Sequence, residues 1–335
     1  MDKNNFDSVR ICLAFIVLLF HMYFLTRIQE FQWISNIFDG DFAVKGFFAI
    51  SGFLVMNSYT TSTSNLEYAE KRFRRIFPAY ISAVLFSLCI SIFASDLSPI
   101  DFIKSNQTLN YFYANAVFMN FIQPELPFTF LDNPLQAVNG SLWTIKIEVM
   151  LYVCIPLIFY LFKKIGSIKS TLLLTLISIY FVYFFTYIYH GSYGLEIARQ
   201  FPGQLSFFVL GAFFFVNIKK LSYIKWAALI SLILLVLIND PYKRLFLEPL
   251  CYSIIVIYLS TSAVRNLNLR KYGDISYGLY LYHWPIIQFL IFSHVFEFNL
   301  WFGFFMAIFL TLLAASISWH LIEKRFLKKA SHYYT

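Results

Sequence analysis

Ten stretches of predominantly apolar residues follow one another along the chain, each long enough to cross a bilayer as a helix. They fall roughly at 9–26, 41–58, 76–95, 141–162, 168–188, 201–217, 222–239, 244–263, 276–296 and 299–322. In hydrocarbon a backbone must satisfy its own hydrogen bonds, which leaves a run of this kind few solutions other than a helix. Only 13% of the 335 residues are charged and 59% are hydrophobic; a soluble domain carries about 25% charged residues. The expected fold is therefore all-α, a polytopic membrane bundle of about ten transmembrane helices forming a single domain over 1–335. The basic start and first apolar run resemble a signal peptide, but no small-residue cleavage site follows Phe20. A retained first span is expected. Cys12, Cys89, Cys154 and Cys251 lie singly within apolar runs, so neither a disulfide framework nor a metal site is expected.

The net charge of +8 does not point to nucleic acid, because the basic residues sit in short clusters between apolar runs. That distribution sets membrane orientation. With the N-terminus in the cytoplasm, nineteen Lys and Arg, from Lys3 and Arg10 to Lys328 and Lys329, fall on the cytoplasmic side. Only Arg27, Lys104, Arg199, Lys243 and Arg244 fall opposite, while Lys45 and Lys146 lie within spans. Both termini are expected in the cytoplasm, with an even number of spans. The long segment 96–140 is expected outside. It carries Pro99, Pro124, Pro127 and Pro134, and Ile100–Phe121 has the spacing of an interfacial helix or a lid. The N-x-[ST] matches at Asn106 and Asn139 are read as chance.

Ionisable groups inside spans are costly and are candidates for function. Arg10 and His21 share a face of the first span, eleven residues and about 16 Å apart. Ser141, Thr144 and Glu148 form a polar stripe at the start of the fourth, with Tyr152 one turn on. Set against a catalytic role for Glu148 is a structural ion pair with Lys45 or Lys146. Ser276, Tyr280 and His283 form a stripe in the ninth span, where Pro285 frees a carbonyl around Leu281. Lys71, Arg72, Arg74 and Arg75 crowd the mouth of the third, as a lipid anchor or as a phosphate-binding cluster.

Six segments in this order resemble the acyltransferase 3 family of membrane O-acyltransferases, over most of the chain. They are Arg10 with His21; Gly46 through Leu54; Arg72-Phe73-Arg74-Arg75-Ile76-Phe77-Pro78; Ser141-Leu142-Trp143-Thr144 through Glu148; Ile275 through Pro285; and Ser318 through Lys324. Thr144 stands where the family often has Ser, and Arg325 where it has Pro.

The resemblance implies transfer of an acyl group, usually acetyl, from cytoplasmic acyl-CoA to a hydroxyl of a bacterial surface glycan or its lipid-linked precursor. It implies a multi-pass protein of the bacterial inner membrane, with no tightly bound cofactor and acetyl-CoA as co-substrate. Lipid, acyl-CoA and a saccharide are then the partners. His21 suits a general base with Glu148 as its orienter; a covalent acyl-histidine is the other route. Arg72, Arg75 and Arg74 suit the donor phosphates, and Arg10 the pantetheine arm or a phosphate. Lys45, Ser141, Thr144, Ser276, Tyr280 and His283 are supporting polar groups. A transporter or flippase is the competing reading, since many helices with charges at mid-depth also suit transport.

Overall fold

The computed structural model describes residues 4–217, 223–261 and 273–327. Eight of the basic residues used for orientation lie outside these: Lys3, Lys219, Lys220, Arg265, Arg270, Lys271, Lys328 and Lys329. The principal helices are α1 (Phe6–Thr26), α2 (Gly40–Thr60), α3 (Asn65–Phe93), α4 (Pro99–Lys104), α5 (Asn106–Ala116), α6 (Trp143–Ile165), α7 (Ser167–Tyr183), α8 (Phe201–Asn217), α9 (Ile224–Leu237), α10 (Pro241–Thr261), α11 (Ser276–Phe292) and α12 (Leu300–Ser318). No strand occurs among the described residues; Ser95 and Thr129 form an isolated bridge.

Among the described residues each of the ten apolar stretches falls mainly on a helix, and seven helices are long and apolar enough to cross a membrane. The other three, α8, α9 and α11, have 17, 14 and 17 residues. Fourteen of the seventeen in α11 are buried, and α8 is buried over most of its length. A helix surrounded by protein does not need an apolar face for lipid. On α7 the outward face is the reverse: Leu172, Leu173, Leu176, Ile177 and Tyr180 are all exposed. Surface of that kind is a liability in water and the norm in hydrocarbon. The chain is a multi-pass, all-α membrane protein.

One boundary moves by three turns. α3 begins at Asn65 rather than near residue 76, so the basic cluster and Pro78 both lie within the helix. The cause is local. Ser64 Oγ accepts from Glu67 N at 3.1 Å, and the Glu67 carboxylate accepts from Thr63 N at 2.7 Å. This capping arrangement starts a helix ahead of the charges, which bar the segment from hydrocarbon but not from helical structure.

The described contacts divide the chain into two compact units, the first drawn from Met1–Val9, Asp41–Ala69 and Ile147–Asn268, the second from Arg10–Gly40, Glu70–Lys146 and Leu269–Thr335. In the first unit α2 meets α8 backbone to backbone. A Cβ on Gly52 would lie 1.9 Å from Phe208 O, and one on Gly211 1.9 Å from Ala49 O. Glycine at both places permits this approach, the usual device for close helix pairs in membranes. Ser178 of α7 ties to α8, donating to Gly203 O and accepting from Ser206 N, both at 3.1 Å.

In the second unit α11 is central. Arg10 meets Asp274 and His21 meets His283, so α1 and α11 run parallel. α3 runs the same way: Arg75 meets Asp274 and Ser82 meets Tyr282. α12 runs opposite, with Ala315 against Gly278 and Trp319 against Gly273.

Candidate active site

His21 of α1 and His283 of α11 are hydrogen-bonded in the second unit, Nδ1 to Nε2, at 2.7 Å. Their rings are 10° from parallel. The other nitrogen of His283, Nδ1, faces Leu279 O at 3.1 Å. A nitrogen facing a carbonyl must carry the hydrogen, so neutral His283 is protonated on Nδ1 and accepts on Nε2. His21 then donates from Nδ1, and its Nε2 keeps the lone pair. The network fixes the tautomer a general base requires. His283 is fully buried and His21 half-buried, against the edge of Trp284 at 4.9 Å.

Pro285 breaks the ladder of α11 one turn after Leu281, and Asn139 repairs it, donating from Nδ2 to Leu281 O at 2.9 Å. The Asn139 Oδ1 accepts from Ser141 N and Oγ, capping the turn Gly140–Leu142 that leads into α6. Gln288 donates to Leu135 O at 2.7 Å and Ala137 O at 2.8 Å, Trp284 Nε1 to Ala137 O at 3.0 Å, and Asn133 to Gln288 Oε1 at 2.9 Å. Residues 133–139 are thus strapped along α11 beside the histidine pair. The stretch before it holds Phe118, Phe128 and Phe130 at positive φ, which a bulky side chain adopts only when its surroundings impose it. Thr144 Oγ1 lies 2.7 Å from Tyr280 OH, one turn before His283.

About 16 Å from His21 along α1, Arg10 and Arg75 share one oxygen of Asp274, a fully buried carboxylate. Ser276 donates to its other oxygen. Glu323 lies 3.8 Å from Arg75 and accepts from Ser318 Oγ at 3.1 Å. The Arg75 guanidinium stands 6.0 Å from the Trp319 ring. Gly273, at φ +89°, turns the chain against that same indole, where a Cβ would come within 2.0 Å of Nε1. Arg74 points elsewhere, pairing with Glu70 at 2.8 Å, half-exposed. Arg72 is half-buried one turn before Arg75.

The remaining candidates lie in the first unit. Lys45 pairs with Asp41 at 2.5 Å and Glu248 at 2.8 Å. It is therefore not the ion partner of Glu148, which accepts from Ser51 at 2.8 Å and Tyr152 at 2.5 Å. The ninth-span stripe divides in two: Ser276 serves the arginines, while Tyr280 and His283 serve the His21 site. Asp274, Glu323 and Asn139 are site residues that sequence reasoning did not single out. An acid flush against Ile275-Ser276 and a cap-forming Asn139-Gly140-Ser141 were the available signals. Among the described residues no three His, Cys, Asp or Glu side chains converge as a metal site would require.

The model of the family described as an acyltransferase domain matches residues 3–320, and the chain belongs to that family. It is a membrane acyltransferase, which decides between the enzyme and transporter readings. Among similar proteins is an O-acetyl transferase of Shigella phage Sf6, 28% identical over 99% of this chain and 98% of that protein. Nodulation protein 10 of Rhizobium leguminosarum bv. viciae is 24% identical over 97% and 94%. The O-acetyltransferase OatA of Staphylococcus aureus is 25% identical over 96% of this chain and 57% of its own length. No solved structure matches the chain.

Proposed function

We propose that the chain moves an acetyl group from acetyl-CoA to a hydroxyl of a cell-surface saccharide or its lipid-linked precursor, in the cytoplasmic membrane of a bacterium. The observation that carries this reading is the chain of hydrogen bonds from Leu279 through His283 to His21, which leaves the lone pair of His21 on Nε2. The acceptor hydroxyl gives its proton to that nitrogen while its oxygen attacks the thioester carbonyl. The imidazolium donates from Nδ1 to His283. The tetrahedral adduct collapses, the C–S bond breaks, and the departing CoA thiolate takes the proton back.

The donor phosphates would replace Asp274 on Arg10 and Arg75. Arg10 lies on the same face of α1 as His21, at a separation an extended pantetheine arm bridges. The relatives named O-acetyltransferases support acetyl as the group. Glycans from cells with and without the protein should differ by one acetyl per modified residue in mass spectra, and identical spectra would count against the reading.

The proposed orientation has ten spans, both termini cytoplasmic and 96–140 outside. The parallel run of α1, α3 and α11, and the reversed run of α12, fit that alternation. Single cysteines at 163–167 should label from the cytoplasm and those at 100–130 from outside; labelling of both from one side refutes it.

A further inference from the structure

The first unit encloses a cavity of about 330 Å³ that the histidine site does not use. Its polar lining includes Asp41, Lys45, Arg199, Gln204 and Glu248, with the Phe207 ring as an apolar wall. Lys45 is held between the two carboxylates. Gln204 is 5% exposed; its Nε2 donates to Arg199 O, and its Oε1 has no donor among the described residues. Glu248 uses one oxygen on Lys45 and leaves the other open. Arg199 is exposed at the rim.

We propose that this cavity binds a sugar ring. An acceptor without a donor in a buried site is costly, and Gln204 Oε1 is one, beside the Glu248 oxygen that Lys45 does not use. Its ligand must bring hydroxyl or amide hydrogens. It must also be close to neutral, because Lys45 and Arg199 only balance Asp41 and Glu248. That balance excludes a phosphate and favours a pyranose, whose C–H face packs on Phe207 while its hydroxyls reach Glu248 and Gln204. The volume is at the small end of ligand pockets, suiting roughly one or two rings. The cavity is built from the start of α2, the end of α7 and the starts of α8 and α10, helix ends that the charge bias places outside the membrane. That the sugar belongs to the acceptor rests on the function proposed above; the binding itself does not.

Saturation-transfer NMR on the full-length protein in lipid nanodiscs tests this, with the methyl glycosides of glucose, galactose, rhamnose and N-acetylglucosamine as probes. At least one should bind. Gln204→Leu should weaken it by about 2- to 12-fold and Glu248→Gln by about 10-fold or more, while His21→Ala leaves it unchanged. Arg199→Ala, at the surface, is the variant least able to disturb folding and should also weaken binding. Failure of all four glycosides, or binding that ignores all three cavity substitutions, overturns the site. Sugar binding without acetyl transfer would keep the site and count against the acetyl-to-saccharide reaction proposed above.

Discussion

Asp274→Ala is expected to lose about 3–5 kcal/mol of stability, the usual result of removing one partner from a buried ion cluster. Arg10 and Arg75 would then lose the carboxylate they share, while Glu323 stays 3.8 Å from Arg75. Acetyl-CoA should restore part of the loss. If its phosphates take the place of the carboxylate, the donor stabilises the variant more than the parent, by about 2.7 kcal/mol at a hundred times its Kd. Arg75→Ala should weaken donor binding by about 10- to 150-fold, with partial recovery in Arg75→Lys, which keeps the charge but not the fork. Arg74→Ala should change little, since Arg74 is engaged with Glu70. Thermal unfolding of the purified variants against acetyl-CoA concentration measures all of these. A donor that stabilises parent and Asp274→Ala equally would detach the arginine pair from the donor.

His21→Ala should lower kcat by about 10²- to 10⁴-fold, the range for loss of a general base, with the KM for acetyl-CoA little changed. His283→Ala removes the group that fixes the His21 tautomer and ring direction, a misplacement that costs about 10²-fold. The double variant should be no slower than His21→Ala alone, because the two rings act as one unit. If Glu148 is the group that orients His21, the overlap appears between His21→Ala and Glu148→Gln instead, and His283→Ala is nearly silent. Steady-state kinetics on the three single and two double variants separates these cases.

The helices were legible because hydropathy acts through length alone, and each apolar stretch became a helix. What hydropathy could not give is where a helix begins outside the membrane. The Ser64 and Glu67 cap carries α3 through six residues, Glu70 to Arg75, that include five charges. Nor could it show that the helices at 201–217 and 276–292 are packed in protein over most of their length.

In the site, Arg10, His21 and His283 stood out because charge and imidazole are rare in apolar runs, and Arg75 because four cations crowd five positions ahead of the third. Their partners were harder to read. Asp274 sits just ahead of a span, where an acid looks like an ordinary loop residue. Only the packing of α1 and α3 on α11 turns it into the common counter-ion of two arginines. Asn139 looked like a chance glycosylation match; it is buried, capping one turn and completing another. The pairing of His21 with His283 depends on two helices more than 250 residues apart in sequence meeting in register, and no local spacing encodes that.

The measurement that bears most directly on the central claim follows a labelled acetyl group from acetyl-CoA into the saccharide fraction of membranes. Three preparations are compared, containing the native chain, His21→Ala or His283→Ala at matched amounts. The account predicts transfer by the native chain, almost none by His21→Ala, and a rate reduced about 10²-fold by His283→Ala. Transfer by His21→Ala at the native rate would contradict it.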